Sequence, residues 1–242
     1  MSIPNASQQA ESALAIDPKE LSSQQSVTLD DSARASNPGS FRVSPLRWAV
    51  SYPIWPCLWL ALLLGSLAPA LLVHWSFWIL AGAFLFTNWF YWMRVRDHFL
   101  HGCVNPGMIV SLHPMRIAVY SDLTHGVGAY PAVKIIQQKL RLIGGSQPRI
   151  GTRLAVVSLY NSGLSDLPHW IDFDPRPVES ATPDPAIQRR CLESIDIEDW
   201  TMLSELIPRL PKSFEPGLYI LREDGAVLSY DFPRDGEIGR TK

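Results

Sequence analysis

From Trp48 to Met93 the chain runs for 46 residues without an Asp, Glu, Lys or Arg. A single helix of that length would reach about 69 Å at 1.5 Å per residue, more than twice the roughly 30 Å hydrocarbon core of a bilayer. The pattern therefore predicts two crossings, Ala49 to Leu67 and Ala70 to Met93, joined by a turn at "GSLAPA", residues 65 to 70. Pro69 would open the second helix, where its missing N–H has no partner to lose. Pro53 and Pro56 would delay or kink the start of the first. A water-soluble core hairpin needs a polar outer stripe, and this run has none. A charge at the bilayer centre costs about 2.5–3.5 kcal/mol, which accounts for the absence directly. Trp48, Trp55, Trp59, Trp89, Tyr91 and Trp92 fall towards one end of the two crossings, and Trp75 and Trp78 towards the other, as interfacial aromatic belts do. Cys57, Ala61 and Gly65 recur every four residues, and Ala83 and Thr87 offer a matching notch, so these small residues are expected to bring the crossings together.

Beyond Met93 the period changes. "GMIVSL" and "RIAVYSDL", separated by "HP", read as a hairpin; "RLAVVSLY", "HWIDFDP" and "PGLYIL" read as further strands. Their apolar residues occupy both faces, as in a closed or covered sheet. "PAVKIIQQKLRLIGG" carries, over residues 131–143, a helical stripe but also a β-branched cluster; a strand is expected and a helix stays open. Two short helices follow, "TPDPAIQRRCLESI" capped by Thr182 or Asp184 and "DIEDWTMLSELI" capped by Asp196. The fold class expected is a two-helix transmembrane hairpin plus an α+β cytoplasmic domain with a small, mainly antiparallel, barrel-like sheet and two C-terminal helices. The organisation is a disordered polar tail over 1–42, the hairpin over 48–93, the domain over 97–221 and a frayed polar tail over 222–242. No cleavable signal peptide is apparent.

Charge refines this picture. The net charge is −2, so there is no bulk basic field for nucleic acid. Three widely spaced cysteines, Cys57, Cys103 and Cys191, do not make a disulfide framework and fit a reducing compartment. Arg42, Arg47, Arg94 and Arg96 flank the hairpin while its inter-helix turn has no Lys or Arg, which puts both termini in the cytoplasm of a multi-pass inner-membrane protein. Within the domain, Lys134, Lys139, Arg141, Arg149 and Arg153 fill a stretch without acids, and ten acids follow between Asp166 and Glu205. The basic half is expected to face the anionic leaflet.

Candidate chemistry is sparse. In "WFYWMRVRDHFLHGCVNPG", residues 89–107, His98 and His101 share a helical face and Cys103 follows Gly102. No zinc spacing is matched and no metal or cofactor is expected. The stretch reads instead as the hinge of a tethered domain, Gly102 stopping the helix and Asn105-Pro106-Gly107 turning the chain into its first strand. Catalytic candidates are His101, Cys103, Asp122, His125, Asp172 and Asp174. Cys103 would need a nearby base. Asp122, Thr124 and His125 sit on a loop that turn chemistry also explains, and Asp172 and Asp174 share a strand face as a divalent-ion pair would.

On "HFLHGCVNPG…YSDLTHG…YPAVKI…GTRLAVVSLY…HWIDFDPRPV" the chain resembles a bacterial family of uncharacterised membrane-associated proteins, a domain of unknown function, over roughly residues 94–220. The resemblance implies that these phrases form one domain and brings no activity with it. The function expected is a membrane-tethered cytoplasmic binding or scaffolding module. Its partners would be the bilayer and a cytoplasmic protein, with no nucleic acid. The alternative is a membrane-bound enzyme, metal-dependent or Cys/His-based; the sequence does not decide whether catalysis occurs.

Overall fold

The computed structural model describes residues 35–124, 129–140, 147–161, 169–221 and 227–230. A short helix, α1 (Pro45–Ser51), opens with Ser44 at its cap and Pro45 in its first turn. After a break at Pro53 come α2 (Ile54–Leu72) and α3 (Phe77–His101), which pack against each other as a helical hairpin. Among the described residues, α2 is the one helix long and apolar enough by composition to cross a membrane.

The hairpin turn lies at residues 73–76, later than the "GSLAPA" expected from Pro69. Pro69 stands inside α2, where it denies the Gly65 carbonyl a helical partner. The Pro69 carbonyl in turn accepts from Val73 and His74 at 2.9 and 3.2 Å and closes the helix. A proline so near the end forfeits a single bond. The shift also changes which small residues meet: Ser66, Ala70 and Ala81 are buried, whereas Cys57, Ala61, Gly65 and Ala83 face outward and Thr87 is half-buried.

α3 does not stop at the arginines. It runs on through Arg94 and Arg96, and Val95, His98 and Phe99 are buried in the core of the domain. Phe99 meets Phe41 at 5.3 Å and stands edge-on to Trp48 at 5.6 Å. The hinge expected here is therefore a continuous helix welded into the domain. Gly102 does end it, through close approach: an added Cβ would lie 2.4 Å from the His98 carbonyl oxygen and 2.9 Å from that of Ser158.

The next residue begins β1 (Cys103–Leu112), followed by β2 (Met115–Asp122), β3 (Pro131–Gln137), β4 (Arg153–Asn161), β5 (Asp172–Pro177), α4 (Pro185–Glu193), α5 (Ile197–Leu206), β6 (Gly217–Leu221) and β7 (Val227–Tyr230). All pairings are antiparallel, in the order β5-β4-β1-β2-β3-β6-β7. The "HP" hairpin joins β1 to β2 through a cis His113–Pro114 peptide, and residues 131–137 are a strand. Asn105-Pro106-Gly107, expected as a turn, lies inside β1 and pairs with β4. The Val104 N–H points away from β4, to the Asn37 carbonyl at 2.8 Å. Pro106, two residues on, has its nitrogen on that same side, where pairing with β2 starts only at Gly107.

The sheet curls strongly. β3 and β5 are four places apart, about 19 Å if the sheet were flat, yet Lys134 Nζ lies 2.7 Å from Asp172 Oδ1 and 2.6 Å from the Phe173 carbonyl oxygen. Trp170 N–H reaches the Leu123 carbonyl at 2.7 Å and tightens the same seam. The result is a half-barrel rather than a closed barrel. Strand alternation supplies two apolar faces: Ile109, Ile117, Val119, Leu154, Val156 and Phe173 fill the inside of the curl. Ala118, Val133, Ala155 and Val157 face α3, α4 and α5 with Phe99, Cys191, Trp200 and Leu203.

Parts of both expected tails belong to the fold. Residues 35–44 lie along the domain: Pro38 bridges Cys103, Phe41 is buried, and Ser44 N–H donates to the Ala181 carbonyl at 2.8 Å. Val227–Tyr230 pairs with β6. Residues 1–34 and 231–242 lie outside the described residues.

Candidate functional site

Where the hairpin enters the domain, α1, the start of α2, the middle of α3 and the β4–β5 edge enclose a cleft of about 470 Å³. Its apolar wall is Trp48, Tyr52, Trp55 and Tyr91; its polar groups include Arg94, His98, Asp174 and Arg176. Tyr52 sits over the seam of the half-barrel. Its hydroxyl donates to Gln138 Oε1 at 2.5 Å, just past β3, while its ring lies 5.0 Å beneath the Arg176 guanidinium on β5. Trp48 donates from Nε1 to the Tyr91 hydroxyl at 2.7 Å, tying α1 to α3.

The electrostatics of this cleft are quiet. Arg176 is paired with Asp174 at 2.9 Å. His98 Nε2 lies 2.9 Å from the Val157 carbonyl oxygen, which can only accept, so Nε2 carries the hydrogen. Burial lowers the His98 pKa to about 4, despite the opposing charge of Asp174, and the imidazole is neutral near pH 7. Burial also raises the Tyr52 phenol. This arrangement suits binding: a rigid aromatic wall, a few fixed polar groups and a single exposed cation, Arg94.

A smaller polar cleft of about 180 Å³ gathers Cys103, Asp122, Tyr160, Asp196 and Asp199. The structure thus brings together two of the sequence candidates. Burial pushes the Cys103 thiol up, away from the thiolate a nucleophile needs. Burial, then Asp196, Glu198 and Asp122, raise Asp199. Asp122 is spent on its loop, accepting from Thr124 N, Thr124 Oγ1 and Tyr130 N at 2.9, 2.6 and 3.0 Å, the turn chemistry read from the sequence.

The remaining candidates lie elsewhere. Asp172 is held by Lys134 and Asp174 by Arg176, so the pair does not converge on one ion. His101 is half-buried at the last turn of α3. His125 lies outside the described residues. Among the described residues no three His, Cys, Asp or Glu side chains could hold a metal. The described candidates therefore do not form one catalytic constellation. Of the expected leaflet-facing cations, Lys134 is committed to Asp172, Arg153 lies 4.8 Å over the Trp200 ring, Lys139 and Arg149 are exposed, and Arg141 is outside the described residues. Arg47 donates from Nε to the Glu179 carbonyl at 2.8 Å, and Arg42, Arg94 and Arg96 are exposed.

Two elements of the site escaped the sequence. Arg176 on β5 meets Tyr52 just past α1 across a long stretch of chain, and nothing in their local pattern foretells it. Glu179, 4% exposed, sits beneath α1 with Oε2 unpaired, and burial pushes its pKa up to about 7.

Residues 92–211, from the middle of α3 to just past α5, match a family described as a protein of unknown function (DUF3239). The resemblance to an uncharacterised family expected from the sequence is borne out by this match. No curated protein matches the chain. The crystal structure of a Corynebacterium diphtheriae protein, described as a candidate membrane protein, is similar at 24% identity, covering 48% of this chain and 97% of that one, with a TM-score of 0.42.

Proposed function

We propose that this chain is a membrane-tethered binding module. Its helical hairpin crosses the bilayer twice, and its half-barrel domain is held at the cytoplasmic surface with the aromatic cleft as its ligand site. The observation that carries the reading is the surface of the hairpin. Leu64, Leu72, Ile79 and Phe86 are 57%, 84%, 67% and 62% exposed, spread over both helices, in a stretch without charge. An apolar surface this continuous is unstable in water and ordinary in lipid. α2 meets the length and apolarity of a crossing unaided. α3 is more polar towards its end because Asn88, Tyr91 and several tryptophans replace aliphatic residues, a composition suited to the interface. The arginines beyond it favour the cytoplasmic side for the domain and both termini.

The test is fractionation and topology mapping. The full chain is expected to pellet with membranes, resist alkaline carbonate, and show cytoplasmic reporters at both ends. Recovery in the supernatant without detergent would overturn the membrane reading; an external reporter at either end would overturn the two-crossing one. For the cleft, Ser51→Trp is expected to fill it and displace a hydrophobic fluorescent probe bound by the wild type. Unchanged probe binding would remove the cleft as the ligand site.

A further inference from the structure

On the neighbouring face of α3, sharing Val95 with the aromatic cleft, Arg42, Val43 and Pro45 from the segment leading into α1 meet Trp92, Val95 and Arg96 around a second cleft of about 370 Å³. Both arginines are exposed, no acidic residue lines the cleft, and among the described residues neither arginine forms an ion pair. We infer that this cleft holds the phosphate of an anionic glycerophospholipid whose acyl chains lie along α3. The inference rests on the membrane reading above and adds a ligand to it.

The order of side chains along α3 carries the assignment. Leu85, Trp89, Trp92 and Arg96 are spaced four, three and four residues apart, so they share one helical face. Leu85 and Trp89 are 59% and 56% exposed, Trp92 is half-buried and Arg96 is exposed. Over about 16 Å of helix the face passes from aliphatic to aromatic to cationic. A phospholipid presents the same sequence: acyl chain, glycerol at the interface, phosphate in water. Guanidinium groups suit that phosphate because their N–H donors match two of its oxygens at once. Two arginines from separate elements, Arg42 before α1 and Arg96 on α3, would grip it from both sides. The aromatic cleft offers no such pair, since Arg176 is already neutralised by Asp174.

The test uses the full chain in a neutral detergent, with native mass spectrometry after adding equimolar phosphatidylglycerol and phosphatidylcholine of identical acyl chains. Two basic residues at the surface are expected to favour phosphatidylglycerol by about thirtyfold. The double variant Arg42→Gln/Arg96→Gln should bring the two lipids close to parity, while Arg149→Gln, an exposed arginine remote from the cleft, should keep the preference. Equal occupancy in the wild type, which needs no variant, overturns the inference, and so does an undiminished preference in the double variant. Displacement of the lipid by glycerol phosphate at the same concentration would reassign the cleft to a soluble phosphate and likewise overturn it. A chain that leaves the membrane in carbonate has failed the membrane reading. A chain that stays and shows no lipid preference has failed this inference alone.

Discussion

The helical hairpin and the curled sheet are both rich in large apolar side chains and dispose of them in opposite ways. In the sheet, Ile109, Ile117, Leu154 and Val156 are 1% exposed or less. In the hairpin, residues of the same kind stand in the open on both helices. Apolarity alone therefore does not tell which solvent a segment meets. The difference lies in what accompanies it. The strands alternate two apolar faces and are covered on both, with ions confined to the seam, the edges and the loops. The hairpin has no polar stripe at all, and after it the first charges, Arg94 and Arg96, appear where α3 enters the domain.

Four substitutions sharpen or break that contrast. The largest effect is expected from Phe99→Ala, where α3 enters the core. It should destabilise the domain by roughly 3–5 kcal/mol in denaturant unfolding, while an exposed truncation such as Leu64→Ala should leave domain unfolding unchanged. Next comes Leu64→Arg, expected to cost about 2.5–3.5 kcal/mol of insertion and to shift the chain from the carbonate-resistant to the soluble fraction. Full retention in the membrane would show that this face meets water.

Glu179→Gln probes the buried acid beneath α1. Because the folded-state pKa is raised from 4.5 to about 7, the protonated acid is preferred in the fold. Its contribution is complete below pH 4.5 and is lost as pH rises through about 7. At pH 8 the variant should be more stable than the wild type by about 3 kcal/mol, and at pH 4 the two should coincide. A constant difference across pH would show that Glu179 does not titrate in this range. His98 acts with the opposite sign. Its pKa is lowered, so its contribution is present above pH 6.5 and is lost as pH falls towards about 4. The smallest effect is expected from Tyr52→Phe, which removes the hydroxyl bridging to Gln138 and should lower stability by about 1 kcal/mol.

Much of the fold was legible because periodicity reports local burial. The β-branched cluster in "AVKII" announced β3, the "HP" pair announced the first hairpin, and of the two caps open for α4, Thr182 and Asp184, it is Asp184 whose Oδ1 accepts from Ala186 N–H at 2.8 Å. The failures have a common cause in long-range packing. Pro69 is ordinarily a helix opener, and only the later turn shows it to be internal. Asn105-Pro106-Gly107 has turn chemistry, yet β1 tolerates the proline because β2 has not begun to pair there. Phe41 sits in a polar stretch and is buried by residues far along the chain. The candidate site suffered most. Cys103 and Asp122 are brought together, but the aromatic cleft joins the helices to the β4–β5 edge, a contact that sequence separation hides.

One feature, the unbroken passage of α3 from the apolar hairpin into the sheet domain, sets the bearing of everything the domain presents. Without a swivel, the position of the β4–β5 edge against Tyr91 is fixed by the residue count between Met93 and Val95. One alanine inserted there would turn the β4–β5 edge about 100° away from Tyr91 and shift it about 1.5 Å, pulling the two walls of the cleft out of register.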